Sequence, residues 1–384
     1  MRPARLAWLQ LRGEKMRLGV ALLGVAFAVV LMFMQLGFMD ALFRSAVALH
    51  RRLAADVVLV HPHYDVLGKP TAFARRRLYQ TLAADGVVSA TALLTALARW
   101  KNPWTGRTRD LFLIGIDPAV RAIDLPGVEA QRALLRRSDT VLFDARSRVE
   151  FGPVAETVAN RGSLETEING HHVTVRGLFE LGTTIGTDAT VITSQATFRR
   201  IVPSYGMSRL GIGLVRIAPG AEARVVQAAL AASLPPDVTV LTKGEFVARE
   251  LAYWRSVSPI GFVFTFGVAM GVLVGAVIVY QILFADIASH QREYATLKAM
   301  GYTNRWLART ILAEASVLAV LGFGPGLAVA WWLHRLAGSA TNLPMKIGAV
   351  RGLLVFGLTL GMCAASGMLA LRKLRAADPA EIFS

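Results

Sequence analysis

Charged side chains are missing from four long stretches of the chain: Leu18 to Met39, Ser256 to Ala285, Ala315 to Leu333 and Gly352 to Leu371. Each reaches the roughly 18 residues that an α-helix needs to cross a ~30 Å hydrocarbon layer. Leu, Val, Ala, Phe, Gly and Met dominate them, without the polar face that a half-buried soluble helix keeps. The pattern predicts four membrane spans, at 18–39, 258–285, 310–334 and 351–371. Basic residues precede the first, as in a signal peptide, but its apolar run exceeds the roughly 7–15 residues of such a segment. The nearby Ala46-Val47-Ala48 lies beyond Asp40 and Arg44.

Residues 40–257, between the first two spans, mix strand and helix signals. Asp56 to His61 and Arg109 to Ile116 read as strands. Ile168-Asn169-Gly170-His171 is a hairpin signal, because Asn-Gly suits a turn with two positive φ angles. Gly211 to Ile217, Ala221 to Leu234 and Val238 to Leu241 read strand–helix–strand, and 73–84 reads as a helix. A β-rich section, about 101–200, reads as inserted between α/β flanks. The expected fold class is a membrane protein of four transmembrane α-helices, with a large α+β extracytoplasmic domain between helices 1 and 2, joined by a helical stalk.

The stalk rests on spacing. Met32, Gln35, Met39, Leu42, Ala46, Leu49 and Leu53 alternate three and four apart, an a/d seam that predicts a helix running on past the membrane. Val247, Leu251 and Trp254 carry a second stripe just before span two. At the N-terminus, Leu6, Leu9, Gly13 and Met16 share one face opposite Arg5 and Arg12, so 1–17 reads as an interfacial amphipathic helix. Within the spans, Gly267, Gly271 and Gly275, and again Gly357 and Gly361, lie four apart and predict close helix packing, within one chain or across a dimer. Pro325, between Gly324 and Gly326, should kink or loosen span three.

Composition then decides which class is excluded. The 384 residues are 54% hydrophobic and 18% charged, with 42 Lys and Arg against 26 Asp and Glu, a net charge of +16. Disorder is excluded by the apolar content, and one cysteine, Cys363, excludes a disulfide framework. The positive charge is dispersed, so no nucleic-acid partner is expected. Arg2, Arg5, Arg12, Lys15 and Arg17 precede span one. Arg292, Lys298, Arg305 and Arg309 fall in the 286–309 link, and Arg372, Lys373 and Arg375 in the 372–384 tail. Span parity puts these on one side, which the positive-inside rule makes the cytoplasm. Arg335, Lys346 and Arg351, in or beside the short 335–350 link, depart from the rule. The expected protein is multi-pass in a bacterial inner membrane, with both termini cytoplasmic and the large domain periplasmic.

Candidate chemistry is sparse. His61 and His63 could chelate a metal from one strand face, and His171-His172 could not; neither has accompanying ligands at convincing spacing. Ser163, Ser194 and Ser204 lack the G-x-S-x-G elbow, and no phosphate-binding GxxxxGK[ST] occurs. Arg75-Arg76-Arg77 reads as a solvated helix face. Glu314 is the acid nearest a span and reads as interfacial, satisfied by Arg or water. No catalytic, cofactor or metal site is expected.

The link after span two, from Asp286 to Tyr302, reads DIASHQREYATLKAMGY. Its own pattern is a short amphipathic helix ended by Gly301. It resembles the R-E-x-x-x-L-K-A-x-G coupling segment of MacB/FtsX-type ABC permeases, and LAWLQLRGEKMRL, MFMQLGFMDALF and RAADPAEIF look like the same family. MFMQLGFMDALF and YQILFADIASHQREYATLKAMGY resemble the DevC-like branch most. The resemblance implies an ATPase-coupling role for Arg292, Glu293, Tyr294, Leu297, Lys298, Met300 and Gly301. It also implies a homodimer working with a separate ABC ATPase subunit that uses ATP-Mg. Membrane lipids, a membrane-fusion adaptor and a TolC-like outer-membrane channel would complete a tripartite exporter of a lipid-like or amphiphilic substrate. DevC-like systems are associated with glycolipid export. A LolCE-type lipoprotein-release permease, an FtsX-like regulator of a cell-wall hydrolase, and a membrane-anchored sensor or enzyme are the other readings.

Overall fold

The computed structural model describes residues 15–376 except 185, 258, 292, 294, 295, 297, 298, 342, 344 and 346. The predicted 1–17 helix therefore lies almost wholly outside the described residues. The helices are α1 Lys15–Ala46, α2 Ala48–Arg52, α3 Arg76–Gln80, α4 Pro126–Gln131, α5 Val154–Arg161, α6 Gln195–Ile201, α7 Ala223–Ser233, α8 Lys243–Val257, α9 Ile260–Ser289, α10 Asn304–Thr341 and α11 Ala349–Ala376. The strands are β1 Val57–Val60, β2 Phe73–Ala74, β3 Val87–Lys101, β4 Thr108–Ile116, β5 Thr140–Asp144, β6 Leu164–Ile168, β7 His171–Phe179, β8 Thr190–Ser194, β9 Arg209–Leu210, β10 Ile212–Ile217 and β11 Thr239–Thr242. The chain forms two compact units, one helical and one α/β, with the α/β unit spanning chiefly Leu42–Ser258.

In the α/β unit, nine strands form one sheet in the order β11-β1-β10-β3-β4-β8-β5-β7-β6. Residues 87–101, to which the periodicity assigns no element, are its longest strand. Ala and Leu crowd this stretch, yet its first half pairs with β10 and its second half with β4. Pairing on both sides overrides local preference. The end of β3 also pairs with β6, through Trp100↔Ile168 and Lys101↔Glu167. The strands from β3 round to β6 thus close on themselves, and the β-rich section is continuous with the sheet through β3. The Asn-Gly turn sits at this closure: Asn169 and Gly170 have φ of 51° and 76°. The Asn169 amide donates to the Arg99 carbonyl at 2.8 Å, and the Arg99 amide to Asn169 Oδ1 at 2.8 Å.

Two apolar cores cover the sheet. One surrounds Trp100, Phe143, Phe151 and Phe198; the other holds Leu49, Leu53, Tyr64, Phe112 and Phe246. The predicted 73–84 helix shrinks to α3 and a 3₁₀ turn, because Phe73 and Ala74 pair with β9 instead. Helix α8 starts on a capping box. Thr242 Oγ1 accepts from the Glu245 amide at 3.2 Å, and Glu245 Oε2 accepts from the Thr242 amide at 2.8 Å.

Among the described residues, four helices, α1 and α9 to α11, are long and apolar enough to cross a membrane. Within the helical unit α1 buries one face, on which Ala21, Val25, Ala28, Val29, Met32 and Phe33 are fully buried. Small residues let neighbours close on it. A Cβ on Gly322 or Gly326 of α10 would stand 2.6 Å and 2.8 Å from Val25 and Val29, and one on Gly275 of α9 would stand 2.7 Å from Ala28. Gly271 faces Met32 and Leu31, and Gly267 faces Gln35. Gly357 and Gly361 are exposed on α11, with no atom of the chain within 4 Å of the Cβ position. Pro325 lies inside an uninterrupted α10. Asp40 of α1 pairs with Arg351 of α11 at 2.5 Å, and Arg17 of α1 donates to Ser289 of α9 at 3.1 Å.

Two outcomes follow from this packing. Replacing Thr242 by Ala should lower the unfolding free energy by about 1 kcal/mol, read from thermal or denaturant melts. Because its carboxylate accepts the Thr242 amide, Glu245 titrates below the ordinary range. Its contribution is therefore present above the unfolded pKa of about 4.3 and should fade as pH falls through the lower folded value. In the helical unit, Gly322→Val should cost roughly 1–3 kcal/mol by overpacking. Gly357→Val should stay within about 0.5 kcal/mol; equal midpoints for the two in a detergent melt would contradict the packing.

Candidate functional site

The link between α9 and α10 carries the segment that resembles a coupling helix. Gln291, Glu293, Thr296 and Ala299 are helical, and the Met300 amide donates to the Thr296 carbonyl at 3.0 Å. Gly301 follows in the left-handed region at φ 91°, the conformation that stops a helix with least strain. Glu293 and Met300 are exposed. Arg292, Tyr294, Leu297 and Lys298 lie outside the described residues.

Beneath this segment Glu314 behaves differently from its sequence expectation. It is 1% exposed and shares a hydrogen bond with the carboxyl of Asp286, itself 7% exposed. Its partner is thus another buried acid rather than an interfacial Arg. His290 Nδ1 lies 3.6 Å from Asp286 Oδ1 and 3.0 Å from the Asp286 carbonyl. Periodicity could not show this, because Asp286 and Glu314 sit on different helices. Buried acids in a membrane-spanning region are costly and usually mark function.

A second polar cluster lies in the α/β unit, where α2 meets α8. Glu250 of α8 is 2% exposed. Its carboxylate accepts from Tyr64 Oη at 3.0 Å, from the Leu67 amide at 3.2 Å and from Trp254 Nε1 at 3.1 Å. His50 Nε2 of α2 stands 3.2 Å away. Burial, then the charge of Glu250, pushes Tyr64 well above the ordinary phenol range, so its hydroxyl stays a donor. Around the cluster, Lys243 Nζ donates to the Leu53 carbonyl at 2.7 Å and Arg249 to the Pro62 carbonyl at 2.8 Å. Lys243 thus ties α8 to the end of α2, while Glu250 and Arg249 tie it to the loop after β1, by charge-assisted bonds about twice as strong as neutral ones.

The sequence-predicted stalk residues divide on this structure. Met39, Leu42 and Ala46 are half-buried on α1, which ends at Ala46. The helix does not run unbroken to Leu53: Val47, at φ −108° and ψ 12°, interrupts it before α2. Leu49 and Leu53 belong instead to the α/β core, with Leu53 bridging to Ile123, because burial in that core removes more apolar surface from water than an exposed seam would. On α8, Val247, Leu251 and Trp254 are half-buried, while the fully buried face is Phe246 and Glu250, one position away. A search for apolar stripes passes over Glu250, Tyr64 and His50 because they are polar.

The His63 amide donates to His61 Nδ1 at 3.1 Å, and His171 Nε2 pairs with Asp139 Oδ1 at 2.8 Å. No cluster of three or more His, Cys, Asp or Glu suited to a metal occurs among the described residues. Truncation of Glu250 to Ala leaves two buried donors, Tyr64 Oη and the Leu67 amide, and the half-buried Trp254 indole without their acceptor. It should destabilise the α/β unit by on the order of 3 kcal/mol. Arg249→Ala loses one partly buried bond and should cost about 1 kcal/mol; a reversed order in chemical denaturation would refute the anchoring role.

Residues 265–379 match the family of FtsX-like permease C-terminal domains. That region holds most of α9, the link with the candidate coupling segment, α10 and α11. No curated protein matches the chain. Among solved structures, the periplasmic region of MacB from Actinobacillus actinomycetemcomitans aligns at 12% identity and a TM-score of 0.36, over 51% of this chain and 92% of that one. The extracellular domain of the noncanonic ABC-type transporter YknZ from Gram-positive bacteria aligns at 14% and 0.31, over 49% of this chain and 99% of that one. Over its last three membrane-type helices, the chain is similar to FtsX-like permeases.

Proposed function

We propose that this chain is the membrane-spanning subunit of an ABC exporter in a bacterial inner membrane. It takes ATP-driven motion from a separate ATPase subunit and passes it to its own α/β unit. The match of 265–379 to FtsX-like permease C-terminal domains carries the reading. In this reading both termini are cytoplasmic, two copies pair as a homodimer, and the α/β unit moves an amphiphilic substrate from the periplasm toward an adaptor and a TolC-like channel. The DevC-like branch, and with it a glycolipid substrate, is the finer part of the same proposal.

The mechanism assigns three tasks to residues of this chain. The segment from Gln291 to Gly301 receives the ATPase, with Glu293 and Met300 exposed toward a partner. Helix α9 leads from this segment toward α8, from which only Ser258 and Pro259 separate it. A connection that short keeps displacement from being lost as it would be in a flexible linker. Glu250 then ties α8 to the loop after β1, so displacement of α8 acts on the sheet and not on a loose helix. The substrate need not cross through the spans, consistent with their apolar composition.

Charge reversal at Glu293 tests the receiving task. In vesicles holding the permease and its ATPase, Glu293→Arg should reduce transport-stimulated ATP hydrolysis at least tenfold, with normal insertion into the membrane. Stimulation equal to wild type would remove the coupling role from this segment.

A further inference from the structure

A cavity of about 190 Å³ opens in the α/β unit beside Glu250. Its walls are apolar. Leu97 and Phe112, directly paired on β3 and β4, form one side; Leu49, Leu67, Leu181 and Trp254 are among the residues lining the rest, with the hydroxyls of Thr184 and Thr187 bonded to each other. An apolar cavity of about 150 Å³ takes up benzene, so this one has room for an alkyl segment of about six carbons. Apolar walls offer water few partners, so an alkyl chain displaces little of value on entering.

Two charged side chains border the cavity, and they differ in availability. Glu250 has its oxygens engaged by Tyr64, the Leu67 amide and Trp254, which leaves it saturated toward a ligand cation. Lys69 is exposed and its ammonium pairs with no acid among the described residues. An apolar slot with an available ammonium at its border is complementary to an alkyl tail that ends in an anion. Ligand sites commonly have this form, concave and apolar with few polar groups to fix orientation.

We propose that this cavity binds a single-chain anionic amphiphile, with the tail against Leu97 and Phe112 and the headgroup on Lys69. That the ligand is the exported substrate rests on the exporter reading; that it binds does not. The full-length protein in nanodiscs, titrated with octyl phosphate against empty nanodiscs, should show saturable binding at one site per chain. From butyl to hexyl phosphate the affinity should rise about fourfold per methylene and level off once the cavity is full. Leu97→Trp, which fills the slot from a half-exposed position, should weaken binding at least tenfold. Lys69→Glu should weaken it severalfold with an unchanged melting midpoint, and as a surface substitution it keeps the test available if Leu97→Trp folds poorly. No uptake beyond empty nanodiscs, indifference to Lys69→Glu, or tighter binding of octylammonium than of octyl phosphate would each overturn the assignment. Failure of the exporter reading would look different, with octyl phosphate binding intact and no ATPase stimulated by the permease.

Discussion

A carboxylate in an apolar core is tolerated only when its lone pairs are filled, and the α/β unit is organised around one that meets this condition. Glu250 is 2% exposed and accepts from Tyr64, Leu67 and Trp254. Those donors come from the loop after β1 and from α8 itself, while His50 reaches it from α2. The arrangement holds α8 against the loop after β1. An apolar residue at 250 could pack there, but it would leave three donors unpaired, and buried unpaired donors cost more than a good bond gains. The geometry of the cavity depends on the same bonds, because Leu67 and Trp254 both line it.

The helical unit is held by a different force. Between apolar helices in a membrane the hydrophobic effect contributes little, so close approach and a few polar contacts decide. Gly322 and Gly326 admit Val25 and Val29, and Gly271 and Gly275 admit Met32 and Ala28. Asp40–Arg351 and Arg17–Ser289 add polar contacts near the two ends of α1. The Asp286–Glu314 contact beside the coupling segment adds a buried polar pair where an ATPase would push, in the reading proposed above.

Much of this was legible in the chain. The four long apolar helices, the Asn-Gly hairpin and the strand–helix–strand at 211–241 follow from periods and turn chemistry that act over a few residues. The capping box of Thr242 and Glu245 went unread, although a Thr followed three residues later by Glu is its signature. The long β3 was not legible, because Ala-Leu-Leu-Thr-Ala-Leu-Ala satisfies a helix as well as a strand until its partners on both sides are present. The a/d seam from Met32 to Leu53 reads as one helix, yet Leu49 and Leu53 belong to the α/β core.

By itself the sequence determined which segments are apolar enough to span a membrane, where chain reversals occur, and the segment that resembles a coupling helix. Each depends on residues near one another in the chain. Tertiary structure alone decided that Glu250 meets Tyr64, that Asp286 meets Glu314, that β3 closes onto β6, and that Gly322 rather than Gly357 receives a neighbouring helix. These depend on residues distant in sequence, and the gain from joining them comes from burial and polar pairing that no local pattern encodes.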